Sequence, residues 1–166
     1  LAKWTMRLME CHAFSALHAS SEAAGHWQTC QDLMQQFQAA NPQNARLPWL
    51  AWQACRCQLL EAQANLARYL AAPAKLDSRD RALEIVRDIL GSLDTLEDDI
   101  RQRQPLAARQ RLSDGAQAPA EQLNQLSVDA VLLRCEALLV RSRLYKPQST
   151  DRIAAAAEVD QQITDA

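Results

Sequence analysis

Apolar side chains recur at intervals of three and four residues along most of the chain, the spacing that places them on one face of an α-helix. Polar residues fill the intervening positions, as the exposed face of such a helix requires. Three stripes are long enough to define a buried helix face. They comprise Trp52, Cys55, Leu59, Ala62, Leu66 and Tyr69, then Ala82, Val86, Ile89, Leu93, Leu96 and Ile100, and finally Leu123, Leu126, Ala130, Leu133, Ala137, Val140 and Leu144. The pattern predicts an all-α protein.

Prolines separate these segments and divide the chain into antiparallel helix pairs at about residues 3–40, 50–103 and 121–166. The first helix of the last pair is apolar nearly all round, so we expect it to be the most buried. The apolar residues expected to anchor the first pair in the core are Trp4, Phe14, Leu17, Trp27, Cys30, Leu33, Met34 and Phe37. On the helix that carries the first stripe, the residues expected to face solvent are Gln53, Arg56, Glu61, Asn65 and Arg68.

Capping residues and prolines also predict where individual helices begin and end. Ser78 is a suitable N-cap for the second helix of the middle pair. That helix should stop near residue 103, because the residue before Pro105 is disfavoured in a helix. We expect residues 105–118 to be irregular with a turn at Ser113–Asp114–Gly115, and a last helix to start at about residues 149–151.

Composition supports the helical interpretation. Three glycines and six prolines are few for the turns of a many-stranded sheet, whereas Ala, Leu, Gln, Glu and Arg are good helix formers. Apolar residues make up 48% and charged residues 23% of the chain, an ordinary globular mixture. We expect one domain over residues 1–166, with its helix pairs stacked as an α-solenoid or an irregular bundle. The chain starts at Leu1 and stops inside a helical pattern, so we expect a fragment of a longer protein.

Charge and cysteine usage argue against several classes of protein. The net charge is −2 and both signs are interspersed, whereas nucleic-acid binding usually requires a basic excess. Fully apolar runs such as Ala154–Ala157 are far too short to span a membrane. Five irregularly spaced cysteines do not suit a disulfide framework. We therefore expect no nucleic-acid partner, no membrane insertion, and reduced thiols, which favours a cytoplasmic location.

The middle and last helix pairs align as two copies of one unit. Arg56 and Cys57 fall on Arg134 and Cys135 at an offset of 78 residues. A gap of four residues, about one helical turn, changes the offset to 74 and aligns the turn and the second helix. The shorter offset places Pro73 on Pro147, Asp77 on Asp151, Ala82 on Ala156, Ile85 on Val159 and Ile89 on Ile163. We therefore predict an internal duplication in which pair 50–103 superposes on pair 123–166.

The segment before Pro42 carries a spaced set of residues in two successive helices. The second helix holds Cys30, Met34 and Phe37 ahead of that proline, and the first holds Phe14, Leu17, His18 and Ser21. Residues 14–42 thereby resemble a tetratricopeptide repeat, and the resemblance is architectural for the rest of the chain. It implies a solenoid scaffold whose concave surface binds peptides or partner proteins.

Candidate chemical sites are weak. His26 and Cys30 share a helix face, but no closed set of four metal ligands can be named with His12 or Cys11. Cys55 and Cys57 lie about 200° apart around a helix, which suits packing better than binding one ion. Carboxylates cluster at Asp94, Glu97, Asp98 and Asp99, where Glu97–Arg101 and Asp99–Arg103 have the spacing of a solvated ion-pair face. We expect no catalytic residues, no metal and no cofactor.

Aromatic and arginine side chains are the types that anchor partners at interfaces, so the predicted partner-binding residues are Trp49, Arg56 and Arg134. Arginine repeated at one position of the two copies would suit a carboxylate-bearing peptide. The alternative is that both arginines solvate their helix or pair with a neighbouring acid. The sequence thus predicts a non-catalytic protein-interaction scaffold. The alternative function is a structural or regulatory helical domain of a larger enzyme or sensor.

The absence of a four-ligand set leads to a direct prediction about metal. The melting temperature of the protein should be the same with and without a strong chelator, because structural metal sites contribute directly to folding. Thermal denaturation followed by circular dichroism measures this. A fall of several degrees on chelation would show that the His26–Cys30 pair was wrongly dismissed.

Overall fold

A computed structural model describes residues 1–19, 22–109 and 120–165 of the chain. Helices account for 88% of this part and none of it is strand, which confirms the all-α prediction. The helices are α1 (Ala2–His18), α2 (Ala23–Ala40), α3 (Leu47–Ala71), α4 (Leu76–Arg109), α5 (Ala120–Leu144) and α6 (Thr150–Asp165). The predicted Ser113–Asp114–Gly115 turn, and Ser21 of the tetratricopeptide pattern, lie outside the described residues.

Helix α3 lies at the centre of the structure and contacts α1, α2, α4 and α5. Its polar side was expected to face water, and for part of it this prediction is wrong: Gln53, Glu61 and Asn65 are buried. The reason is the number of neighbours, which an apolar stripe on one helix does not reveal. The expectation that α5 would be the most buried helix also fails, because Leu132 and Leu139 of α5 are exposed.

The buried side chains form two main clusters that meet only at α3. The larger cluster joins α3, α4 and α5 and contains all or most of each predicted stripe. The smaller cluster joins α1, α2 and the first half of α3, where Leu50 and Cys57 contribute. Among the expected anchors of the first pair, Trp27, Cys30 and Phe37 are buried in it. Leu33 and Met34 are partly buried against it. Three of the eight proposed anchors were wrong: Trp4, Phe14 and Leu17 lie on the outer side of α1 and are exposed.

Helix α4 begins earlier and ends later than the sequence predicts. It starts at Leu76, so Ser78 lies inside the first turn and is not the N-cap. It also continues through Pro105 to Arg109, whereas an end near residue 103 was expected. A proline inside a helix costs one hydrogen bond and crowds the preceding turn. Burial of Ala107 in the larger cluster provides the packing that favours continuation past it.

The turns that follow α3 and α5 are closed at equivalent positions of the proposed duplication. Lys75 N–H donates to the carbonyl of Ala72 at 2.9 Å, and Ser149 N–H donates to the carbonyl of Lys146 at 3.1 Å. In each turn a proline, Pro73 or Pro147, is the second residue, where its fixed φ is well suited. The third residue of the second turn is Gln148, with a left-handed φ of 63°. These turns support the alignment, and superposition of the pairs stays a prediction.

The second helices of the two pairs differ in burial, although their sequences align. Ala82 and Ile89 of α4 are fully buried, whereas the matching Ala156 and Ile163 of α6 are exposed. Helix α4 contacts both α3 and α5, while α6 contacts only α5 within the described part of the chain. The same sequence pattern is therefore a core face in α4 and an uncovered face in α6.

This difference supplies a matched pair of substitutions. Ile89→Ala should lower the free energy of unfolding by about 2–5 kcal/mol, because it removes buried methylenes and leaves a cavity. Ile163→Ala makes the same change at the aligned position of α6, where 64% of the side chain is exposed. Its cost should be about 0.5 kcal/mol or less. Urea denaturation with an unchanged m-value measures both; similar losses for the two variants would contradict the described packing.

Candidate functional site

Arg134, one of the three predicted binding residues, is held in an ion-pair cluster between α5 and α4. Its guanidinium lies 2.7 Å from Asp94 and 2.9 Å from Glu97, and only 12% of its side chain is exposed. The arrangement matches the alternative considered above, in which the arginine pairs with a neighbouring acid. Its Nε and Nη2 groups are thereby engaged by acids of α4. Arg134 links two helices of the core.

Arg56 and Trp49 are placed differently. The guanidinium of Arg56 lies 4.9 Å from the ring centre of Trp52, a cation–π contact, and 4.0 Å from the Glu10 carboxylate. Trp49 packs against the larger cluster and is covered by Arg46, whose guanidinium is 5.0 Å from the ring centre. A role in partner binding for these residues stays a prediction.

Of the two ion pairs predicted for the acidic cluster of α4, one is observed. Asp99 accepts a hydrogen bond from Arg103 at 2.6 Å, the predicted pair. Arg101 bonds Asp98 at 2.6 Å, and Glu97 pairs with Arg134, so the predicted Glu97–Arg101 pair is not formed. Glu97 lies on the side of α4 that meets α5, so it pairs with Arg134 of α5 and not with Arg101 of its own helix.

A groove runs over α3 because α2 and α4 both pack on that helix without contacting each other. Two cavities, of about 320 and 670 Å³, adjoin along it through shared lining by Met34, Ala51 and Ser92. The first cavity lies against Trp27 and Cys55, and the second extends to Pro42 and Leu47. A concave surface of this size, formed by three helices, is a candidate binding site.

The groove carries carboxylates and amides around an apolar floor. The acidic side chains that line it are Glu61, Asp88, Asp94, Asp98 and Asp99, and the glutamines are Gln31, Gln35, Gln38, Gln58 and Gln102. Arg103 is the one basic residue among the lining residues. Arg56, Arg134 and Trp49 do not line it. Sequence reasoning missed the groove because it arises where two helices fail to meet, and no spacing along the chain encodes that gap.

Two buried cysteines of the smaller cluster lie close together where they line the first cavity. The Cys30 thiol of α2 donates to the backbone oxygen of Met9 at 3.3 Å, and the Cys57 sulfur of α3 lies 3.8 Å from the same oxygen. Cys57 therefore packs beside Cys30 in the smaller cluster, whereas Cys55 belongs to the larger one.

The environments of the three cysteines that line the cavity differ. Interaction with Cys57, followed by burial, raises the pKa of the Cys30 thiol. Interaction with Cys30 lowers the pKa of Cys57, helped by Gln53 and the charge of Arg56 and opposed by burial. Burial raises the pKa of Cys55 to about 12. Cys57 is therefore the thiol most easily converted to a thiolate.

His12 and His26 also come together, with their Nδ1 atoms 3.0 Å apart. This hydrogen bond ties α1 to α2, and the Cys30 thiol is bonded to Met9 instead of sharing a site with His26. Within the described residues, no group of three or more His, Cys, Asp or Glu side chains is arranged to hold a metal ion.

The contrast between the two aligned arginines can be measured. Arg134→Met should lower the free energy of unfolding by about 1–3 kcal/mol, because it removes hydrogen bonds between charged groups at a partly buried site. Arg56→Met removes a long exposed contact at the matching position and should cost about 1 kcal/mol or less. Chemical denaturation of both variants gives the comparison. Equal losses would mean that the Arg134 cluster does not stabilise the α4–α5 contact.

Comparison of the chain with protein-family models, with curated proteins and with solved structures found no match. The tetratricopeptide resemblance accordingly stays a prediction. In the described part of the chain, no helix is long and apolar enough to cross a membrane. In this described part, six helices pack against one another, and four of them contact α3.

Proposed function

We propose that the protein is a non-catalytic interaction scaffold, and that its groove over α3 binds an extended, basic segment of a partner protein. The observation that carries the proposal is the groove itself: three helices form a concave surface with an apolar floor and a surplus of carboxylates. A helical repeat protein uses surfaces of this kind to bind partners.

Charge complementarity favours a basic occupant. Glu61 is paired with Arg81 at 3.1 Å, and Asp94, Asp98 and Asp99 are each paired with an arginine. Asp88 has no such partner among the described residues, and Asp88 and Asp98 are both exposed at the groove. The acidic surplus would attract Lys or Arg side chains and repel a carboxylate-bearing peptide. The tetratricopeptide resemblance predicts a peptide partner, and the groove's charges favour a basic one.

The glutamines suit the backbone of the same segment. A glutamine amide both donates and accepts hydrogen bonds, so it can pair with a peptide N–H or C=O whatever the side chain. Gln35, Gln38 and Gln102 are exposed along the groove, while Met34 and Ala51 offer apolar contact below them. The expected partner segment therefore alternates basic and apolar side chains in an extended conformation.

Binding can be tested with two fluorescein-labelled peptides, one alternating Arg and Leu and the other alternating Glu and Leu. The Arg-Leu peptide should bind the protein in fluorescence anisotropy at physiological salt. The double variant Asp88→Lys/Asp98→Lys should bind it about tenfold more weakly, because exposed charge contacts each contribute roughly 0.2–1 kcal/mol and reversal adds repulsion. NMR shift changes should map to α2, α3 and α4.

Glu136→Lys is the control for reversal of one charge, since it replaces an exposed carboxylate of α5, away from the groove, by an ammonium group. It should bind the Arg-Leu peptide like the unmodified protein. Equal affinity for the two peptides, or equal loss in the double variant and the control, would contradict a specific groove. Shift changes confined to α5 and α6 would instead assign binding to the uncovered face of α6.

A further inference from the structure

We propose that Cys30 and Cys57 form a peroxide-sensitive dithiol that closes to a disulfide linking α2 to α3. This inference goes beyond the binding of a peptide, because it concerns covalent chemistry at the inner end of the first cavity. It is carried by three observations: the approach of the two sulfurs to one backbone oxygen, the difference between the environments of the two thiols, and an access route from solvent.

The first observation is the position of the two sulfurs. Both approach the Met9 carbonyl oxygen from neighbouring helices, at 3.3 Å for Cys30 and 3.8 Å for Cys57, and both line the same cavity. Each cysteine is only 2–3% exposed, so neither can reach a cysteine of another molecule. The pair is thereby arranged for an intramolecular bond.

The second observation is the difference between the partners. Interaction with Cys30 lowers the pKa of Cys57, and Gln53 Nε2, which lies 3.7 Å from the Cys57 sulfur, is a donor that favours the same thiolate. Cys30 stays a thiol. A thiolate next to a second, protonated thiol is the arrangement of an attacking and a resolving cysteine.

The third observation is access. The cavity of about 320 Å³ is lined by both cysteines, and its rim includes the exposed residues Gln35, Asp88 and Ser92. A peroxide molecule is small enough to enter such a space. Cys55 lines the same cavity but belongs to the larger cluster, and burial raises its pKa. It is the less reactive neighbour.

The chemistry balances with peroxide as the oxidant. The Cys57 thiolate attacks one peroxide oxygen, the O–O bond breaks, and the departing hydroxide takes up a proton to leave as water. Cys57 is then a sulfenic acid. The Cys30 sulfur attacks the Cys57 sulfur, the S–O bond breaks, and the Cys30 proton leaves with the hydroxide as a second water. The two thiols lose two electrons, and one peroxide is reduced to two waters.

The product would fasten α2 to α3 beside the smaller cluster. Closing the segment between residues 30 and 57 restricts the unfolded chain, so the oxidised protein should melt at a higher temperature. The S–H donor to Met9 is lost at the same time. The state of the dithiol would thus alter how firmly the first helix pair is attached to the wall of the groove.

The test is oxidation of the unmodified protein with hydrogen peroxide, alkylation of remaining thiols, and digestion with trypsin and a Glu-specific protease under non-reducing conditions. Cleavage after Arg56 separates Cys55 from Cys57, and cleavage after Glu22 separates Cys11 from Cys30. The expected product is a linked pair of peptides containing Cys30 and Cys57, lighter by two hydrogen atoms and released by reductant.

Oxidation of exposed Cys11 shows that the peroxide has reacted with the protein. Cys135, which is buried between α5 and α6, is the internal control: its thiol should stay reduced and be alkylated. Variants Cys30→Ala and Cys57→Ala should each abolish the linked peptide, and Cys30→Ala should leave a sulfenic acid on Cys57 that dimedone traps. The proposal is overturned if Cys30 and Cys57 stay alkylatable while Cys11 is oxidised, or if Cys57 links to Cys55 instead. Since peptide mapping needs no bound partner, its result is independent of the groove experiment.

Discussion

The structure depends on one constraint, the enclosure of α3 by four other helices. Much of its polar side faces another helix, so the polar residues there need partners within the protein. Asn65 donates to the Glu61 carbonyl at 2.9 Å, and Glu61 itself meets Arg81. Gln53 meets Cys57. The fold is therefore held by an apolar stripe on one side of α3 and by a set of satisfied polar contacts on the others.

The proposed groove and the dithiol both follow from this enclosure. Helices α2 and α4 approach α3 from different directions and stop short of each other, so part of α3 becomes the floor of a cleft. Cys57 projects from α3 towards α1 and α2, which brings its sulfur to Cys30 and Met9. One geometric fact, that the neighbours of α3 surround it unevenly, thus produces both a concave surface and a protected pair of thiols.

The sequence predicted the helices well and their surroundings less well. The stripe from Ala82 to Ile100 is buried throughout, because an unbroken spacing of three and four identifies a core face without knowledge of the partner. Phe14 was misplaced since an aromatic residue does not reveal which side of its helix is covered. Pro105 was taken as a helix end, and the tertiary contact of Ala107 overrides that local preference.

The candidate site was harder to predict for a physical reason. Cys30 and Cys57 are separated by 27 residues and lie on different helices, so no local spacing connects them. Arg134 was recognised as notable, but its partners Asp94 and Glu97 come from α4, about 40 residues away. Contacts of this kind depend on how helices pack against one another, and the apolar periodicity of a single helix does not determine its packing angles.

The division of the core into two clusters has a consequence for how the protein opens. Detachment of α1 and α2 would expose Leu50 and Cys57 but leave Leu59 and Leu66 in their places, since the larger cluster contains no residue of the first pair. Such a segment is a separate cooperative unit, and its amide hydrogens exchange through a sub-global opening at lower cost than those of α4. Helix α3 takes part in both units. Its N-terminal half would lose protection with the first pair, while its C-terminal half would keep protection until the whole molecule unfolds.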